Sequence, residues 1–316
     1  MSGARPLAAE PLLAGRAGPA PDLSTWQAAD GTVLALRDEG PRDAKVTLVL
    51  VHGWTLDHTM WDDVADVVRE ERPGVRVIAY DHRGHGRSDA GPGAPTHFAR
   101  LTQDLVELVT ELAPTGKLVI AGHSLGGMVL MQLFADHPGL ARDRVAGIGL
   151  VATSAGQLGR LFGAPTWLVA PLLGAQKALW RRQLGTAHPV ASEDPATIAR
   201  GLRLMRPKPD WSPDHVRRTA EMIARSHPAT TAAIGAELID HDRLPLMADM
   251  VGTPTTILGG RIDLLCPPSH SKRMARAVPG SRLVVYPGAG HMLPYERTND
   301  VARELVALID LEGTRA

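Results

Sequence analysis

Ser124 lies between Gly122 and Gly126 in the segment KLVIAGHSLGGMV, where one apolar run ends and another begins. A serine hydroxyl becomes a competent nucleophile only when a base takes its proton, and that base must itself be oriented by a third group. Two residues far along the chain suit those parts. Asp263 follows the run TTILGG, and His291 follows RLVVYPGAG. The run ending near Ala152 is followed by TSAGQ, which offers no carboxylate, so Asp263 is the better acid. The chemistry open to such a set is acyl transfer through a covalent ester on Ser124.

These residues need elements that bring them to one place. KVTLVLVHGW, VRVIAYD, KLVIAGH and RVAGIGLVA are apolar runs expected of strands buried on both faces. Between them fall helical spacings: Trp61, Val64 and Val68 on one face, Phe98, Leu101, Leu105, Leu108 and Leu112 on another after a cap at Thr96, and a helix from Leu125 to His137. Strands alternating with helices make a mostly parallel α/β sheet covered on both faces. An early hairpin turns at Asp30-Gly31. Ser124 therefore sits on a strand-to-helix turn so tight that its neighbours must lack bulk. Its hydroxyl projects from the carboxyl edge of the sheet, and the backbone N–H of Leu125, at the helix start, points toward a developing oxyanion.

The motifs HGW at 52–54, DHRGHGRS at 81–88 and GHSLGG at 122–127, with the order Ser124, Asp263, His291, resemble the α/β-hydrolase fold superfamily, in its serine-nucleophile esterase and lipase branch, over roughly residues 34–311. The resemblance implies that the N–H of Trp54 is the second oxyanion donor and its indole a pocket wall. It implies ester hydrolysis with no cofactor, and it admits thioesterase, lactonase, perhydrolase and carbon–carbon hydrolase chemistry on the same triad. An acyl-transfer enzyme and a ligand-binding protein on the same fold are the alternatives of another class.

The strand alternation stops at Thr153 and resumes near Thr253, and only helical patterns lie between, among them one starting at Ser212-Pro213 with Val216, Ala220 and Ile223 on one face. Residues 154–251 are read as a helical cap inserted in a core of 23–153 and 252–316, with 1–22 a flexible tail. In the family the cap closes over the nucleophile, so Phe162, Trp167 and Leu168, within an apolar stretch at 161–180, point to an apolar acyl or alcohol site. His123, beside the nucleophile, lines the pocket or braces the turn.

Other chemistry-bearing residues have plainer readings. His52, His82 and His85 are placed on structural turns and not at a metal. Asp57 is a helix N-cap, with His58 beside it. Asp104 is read as solvated or capping, His241 as surface, and Cys266 as a small apolar filler. With 34 basic and 34 acidic residues in 316 there is no net field for nucleic acid or an anionic membrane. One cysteine excludes an intrachain disulfide and any multi-thiolate zinc site, and no run approaches the roughly eighteen apolar residues of a membrane helix. The expected setting is cytoplasmic, the expected partner a small acyl substrate.

Overall fold

The computed structural model describes residues 23–93, 96–156, 194–204 and 212–313, with short pieces at 5–6, 158, 174–175 and 178. Among the described residues nine strands form one sheet. They are β1 (Arg5–Pro6), β2 (Leu23–Gln27), β3 (Val33–Glu39), β4 (Val46–Val51), β5 (Arg76–Tyr80), β6 (Lys117–His123), β7 (Val145–Val151), β8 (Thr255–Gly260) and β9 (Arg282–Tyr286). The order across the sheet is β1-β2-β3-β5-β4-β6-β7-β8-β9. The pairs from β1 to β5 are antiparallel, and those from β5 through β9 are parallel. β2 and β3 are the expected hairpin, with Gly31 at φ 89° in its turn. Within the segment read as a tail, β1 pairs with β2, and the remainder of 1–22 lies outside the described residues.

The central parallel strands are largely apolar on both sides because both of their faces are covered. In β4, Val49 and Val51 face one core while Leu48 and Leu50 face the other. Helices α2 (Phe98–Leu112) and α3 (Leu125–Asp136) close the first face, and all five residues of the Phe98 stripe are buried there. Helix α1 (Asp62–Glu71) and the last helix close the second, with Trp61, Val64 and Val68 meeting Val301, Leu305 and Leu308. That last helix follows β9 and is interrupted at Arg297, so the final pattern is two helices, Leu293–Glu296 and Thr298–Gly313.

Between β7 and β8 the described residues contain helices and no strand, apart from one isolated bridge between Gly156 and Asp242. After α4 (Pro138–Arg144) come α5 (Pro195–Leu204), α6 (Pro213–Arg225) and α7 (Pro228–Asp240), then α8 (Pro268–Ala277) after β8, with α9 (Leu293–Glu296) and α10 (Thr298–Gly313) the final pair. Ser212 caps α6 by accepting from His215 N, as its position before Pro213 predicts. The start of α2 differs from expectation. Its N-cap is His97, not Thr96, and the Phe98 N–H donates to Glu237 of α7 at 2.9 Å. A carboxylate brought in from another helix supplies the acceptor that a local hydroxyl was expected to give. Among the described residues no helix is long and apolar enough to cross a membrane.

Candidate active site

Register puts the carboxyl ends of the central strands side by side: Val51 pairs with Gly122, Gly122 with Leu150, and Leu150 with Ile257. The loops after β4, β6, β8 and β9 therefore share one edge. Ser124 sits in the turn between β6 and α3 at φ 50°, ψ −113°, a conformation that costs an L-residue steric strain. What holds it there is the absence of side chains around it. A Cβ on Gly122 would strike the backbone of Gly126 and Gly127, and one on Gly126 would strike the Val51 carbonyl. The neighbouring strand adds two bonds: Ser124 N donates to Val151 O at 3.0 Å, and Thr153 Oγ1 donates to Ser124 O at 2.6 Å. Thr153, in the segment noted only for lacking a carboxylate, is thus a support of the elbow. Leu125 opens α3, one turn before the first intrahelical donor, Met128 N.

His291 and Asp263 meet as their order predicts, His291 Nδ1 donating to Asp263 Oδ2 at 2.8 Å. The other carboxylate oxygen accepts from Leu265 N and Cys266 N, both at 2.8 Å. Burial disfavours the Asp263 carboxylate, but His291 and those two N–H groups outweigh it and hold the acid below its ordinary range. Burial likewise opposes charge on His291, and the Asp263 carboxylate overcomes it, raising the imidazole above 6.5. Because Nδ1 carries a proton toward Asp263, Nε2 is the nitrogen left to act as a base. Among the described residues no hydrogen bond joins Ser124 to His291. Such contacts are often long in an unliganded site and tighten when substrate arrives.

The loop bearing His291 has a second support that sequence reasoning missed. Glu296 accepts from Gly290 N at 2.6 Å and Met292 N at 3.0 Å, gripping the histidine from both sides. The available signal was an acid in the first turn of the helix that follows the base. His123 donates through Nε2 to His291 O at 2.9 Å, and its ring lies 4.9 Å from that of His291. It braces the base loop, and burial pushes its pKa down to about 3, so it is neutral.

Trp54 follows β4, and its indole donates to Thr231 O in α7 at 3.0 Å. The next residue, Thr55, has φ 63°. Asp57 caps the following 3-10 turn, accepting from Thr59 N, as expected. His58, fully enclosed, donates from its backbone N (2.7 Å) and from Nδ1 (2.6 Å) to Asp81 Oδ1. Burial works against the imidazolium, yet Asp81 raises His58 to about 9 while Asp81 itself falls to about 2. His52, His82 and His85 pack ring against ring, fully buried, with their pKa values lowered by burial. Among the described residues, the groups that could hold an ion are instead Asp57, His58 and Asp81, and Asp263, Cys266 and His291. Cys266 is buried, with its thiol pushed well up by burial.

Two further readings need correction. Asp104 is neither solvated nor a cap: it is fully buried in a two-pronged pair with Arg83 at 2.6 and 2.7 Å. His241 is not at the surface: it is buried, bonded to Ser154 O at 2.9 Å and stacked on Phe98. Phe162, Trp167 and Leu168 lie outside the described residues.

A family described as serine aminopeptidase, S33, matches residues 42–298, a span containing the elbow, Asp263 and His291. This chain belongs to the α/β-hydrolase superfamily. The hydrolase is similar to a bifunctional esterase/perhydrolase of Acinetobacter calcoaceticus, 28% identical over 89% of this chain and 97% of the relative. A thermophilic esterase from Thermogutta terrifontis is 28% identical with a TM-score of 0.67, covering 90% of this chain and 95% of that one. A hydrolase from Pseudomonas aeruginosa is 26% identical with a TM-score of 0.69, covering 93% and 99%.

Proposed function

We propose that this hydrolase is a serine esterase that cleaves the carboxylic ester of an apolar small molecule through an acyl-enzyme on Ser124. The observation that carries the reading is the Nδ1-bonded His291–Asp263 pair at the sheet edge where the strained Ser124 turn projects. Ser124 Oγ attacks the acyl carbon and His291 Nε2 takes its proton. The N–H groups of Trp54 and Leu125 bind the oxyanion. The C–O bond then breaks, and the leaving alcohol departs with the proton from His291. Water repeats the sequence and frees the acid. Residues 154–251 serve as the cap over this site, and no cofactor takes part. The names of the esterase relatives support ester hydrolysis in particular.

The test is steady-state turnover of a chromogenic ester, with thioester, lactone and amide substrates run beside it. Ser124→Ala abolishes turnover in a folded protein, and retained turnover would refute the nucleophile. Because only neutral His291 accepts a proton and Asp263 raises its pKa, kcat/KM climbs with pH through a midpoint above 6.5. Asp263→Asn lowers kcat by up to about 10⁴-fold and moves that midpoint down, since the anion that raised it is gone. Preferred cleavage of the thioester or lactone would move the substrate class while leaving the triad in place, and acyl transfer to an added alcohol or amine in preference to water would make it a transferase.

A further inference from the structure

Helix α6 spans both catalytic loops. At its N-terminal half the His215 ring stacks on Tyr295 at 4.4 Å and 5°, and Arg218 lies 4.8 Å from the same ring. Tyr295 belongs to α9, directly after the His291 loop. At its C-terminal end α6 reaches the loop that carries Trp54. Met222 is fully buried with its sulfur 3.4 Å from Asp57 N, and Arg225 Nη2 donates to Asp57 Oδ2 at 2.7 Å. Ser226, just past the helix, shares its hydroxyl proton between Thr55 O at 3.1 Å and Met222 O at 3.2 Å.

The backbone these contacts hold is out of the ordinary. Thr55 is β-branched yet stands at φ 63°, a conformation that persists only where its surroundings over-determine it. Its own hydroxyl donates to Trp54 O at 2.6 Å and Ser226 donates to Thr55 O, so the peptide units on either side of Thr55 are tied to this turn. Asp57 closes the segment: one oxygen accepts from Thr59 N, and the other accepts from Arg225. Arg225 is half exposed and its partner Asp57 is buried, so the arginine is the side chain that reaches in from the helix.

We propose that Arg225 is a positioning residue that, through Asp57, holds the strained Trp54–Asp57 backbone in the geometry that aims the Trp54 N–H at the oxyanion. Helix α6 thereby ties oxyanion stabilisation to the seating of the segment between β7 and β8. The inference rests on the assignment of Trp54 as an oxyanion donor made under the proposed function. Arg225 acts through the loop and does not touch the reacting atoms.

Arg225→Ala and Arg225→Lys are compared with the full-length wild type on a chromogenic ester, with hydrogen exchange followed at 54–59 in the resting proteins. Arg225→Ala lowers kcat about 10- to 100-fold, with KM within about twofold and the ascending pH limb unmoved, because a displaced donor weakens the transition state and leaves His291 alone. Arg225→Lys recovers most of that loss. Thr55→Gly, which removes the steric objection to positive φ, reduces the effect of Arg225→Ala to under about threefold. Exchange at 54–59 speeds up in Arg225→Ala and returns toward the wild-type rate in Arg225→Lys. An unchanged kcat, a loss carried mainly in KM, or unaltered exchange at 54–59 would overturn the proposal. Turnover surviving in Ser124→Ala would remove the acyl-enzyme reading on Ser124 instead, and the exchange measurement would still decide whether Arg225 holds the loop.

Discussion

The Ser124 turn, proposed as the nucleophile elbow, and the Trp54–His58 segment, proposed as the oxyanion loop, solve one backbone problem in opposite ways. Each places a non-glycine residue at positive φ, Ser124 at 50° and Thr55 at 63°. The elbow is held by exclusion: its glycines lie within two residues of Ser124, and a methyl group on either would collide with main chain. The oxyanion loop is held by recruitment. His58 is fixed by Asp81, 23 positions away, Asp57 by Arg225, 168 away, and the Trp54 indole by Thr231, 177 away. A conformation enforced by missing atoms is legible in a local motif. One enforced by distant partners is not.

The largest expected effect breaks the elbow. Gly126→Ala puts a methyl group on the Val51 carbonyl, where neither strand nor helix can yield, and costs about 4 kcal/mol or more with loss of turnover. Denaturant midpoints measure it, and a near-neutral Gly126→Ala would mean that the elbow is not sterically enforced. The oxyanion loop has a different signature, dependence on pH. His58 is raised from 6.5 to about 9, so its stabilisation is complete below 6.5 and is lost as pH climbs through 9. His58→Gln removes up to about 3 kcal/mol of that pH-dependent stability, and its Tm declines less than that of the wild type between pH 6.5 and 9.5. Parallel Tm curves for the two proteins would show that the His58–Asp81 charge pair does not hold the loop. The smallest effect tests recruitment away from the site. Glu237→Ala deprives α2 of the acceptor for Phe98 N and costs about 1 kcal/mol, while Thr96→Ala, at the position expected to cap, costs less. The reverse order would restore the local cap.

Much of the architecture was legible because it rests on short-range rules. Runs such as KVTLVLV and KLVIAGH are apolar on both sides since each strand is buried on two faces, and the Phe98 stripe keeps a helical period since one face of α2 meets the sheet. Asp263 and His291 were legible for a related reason. Parallel strands in register deliver the residues that follow them to one edge, so order and position after a strand suffice to pair them. Asp104, His241 and Thr96 were misjudged where polarity alone was taken to mean solvent or a local cap. Asp104 is buried because Arg83, 21 residues earlier, meets it with Nε and Nη2, and His241 because Ser154, 87 residues earlier, offers it a carbonyl.

By itself, then, the sequence determined the α/β sheet, the glycine-enforced turn at Ser124 and the meeting of Asp263 with His291. Each depends on periodicity, on the bulk of near neighbours or on place after a strand. The tertiary structure alone decided how Trp54 to His58 are held, how Glu296 and Thr153 support the base and the elbow, and which charged side chains are buried. Those outcomes depend on which donors and acceptors meet across the fold, and a buried polar group is tolerated only where its partner has arrived.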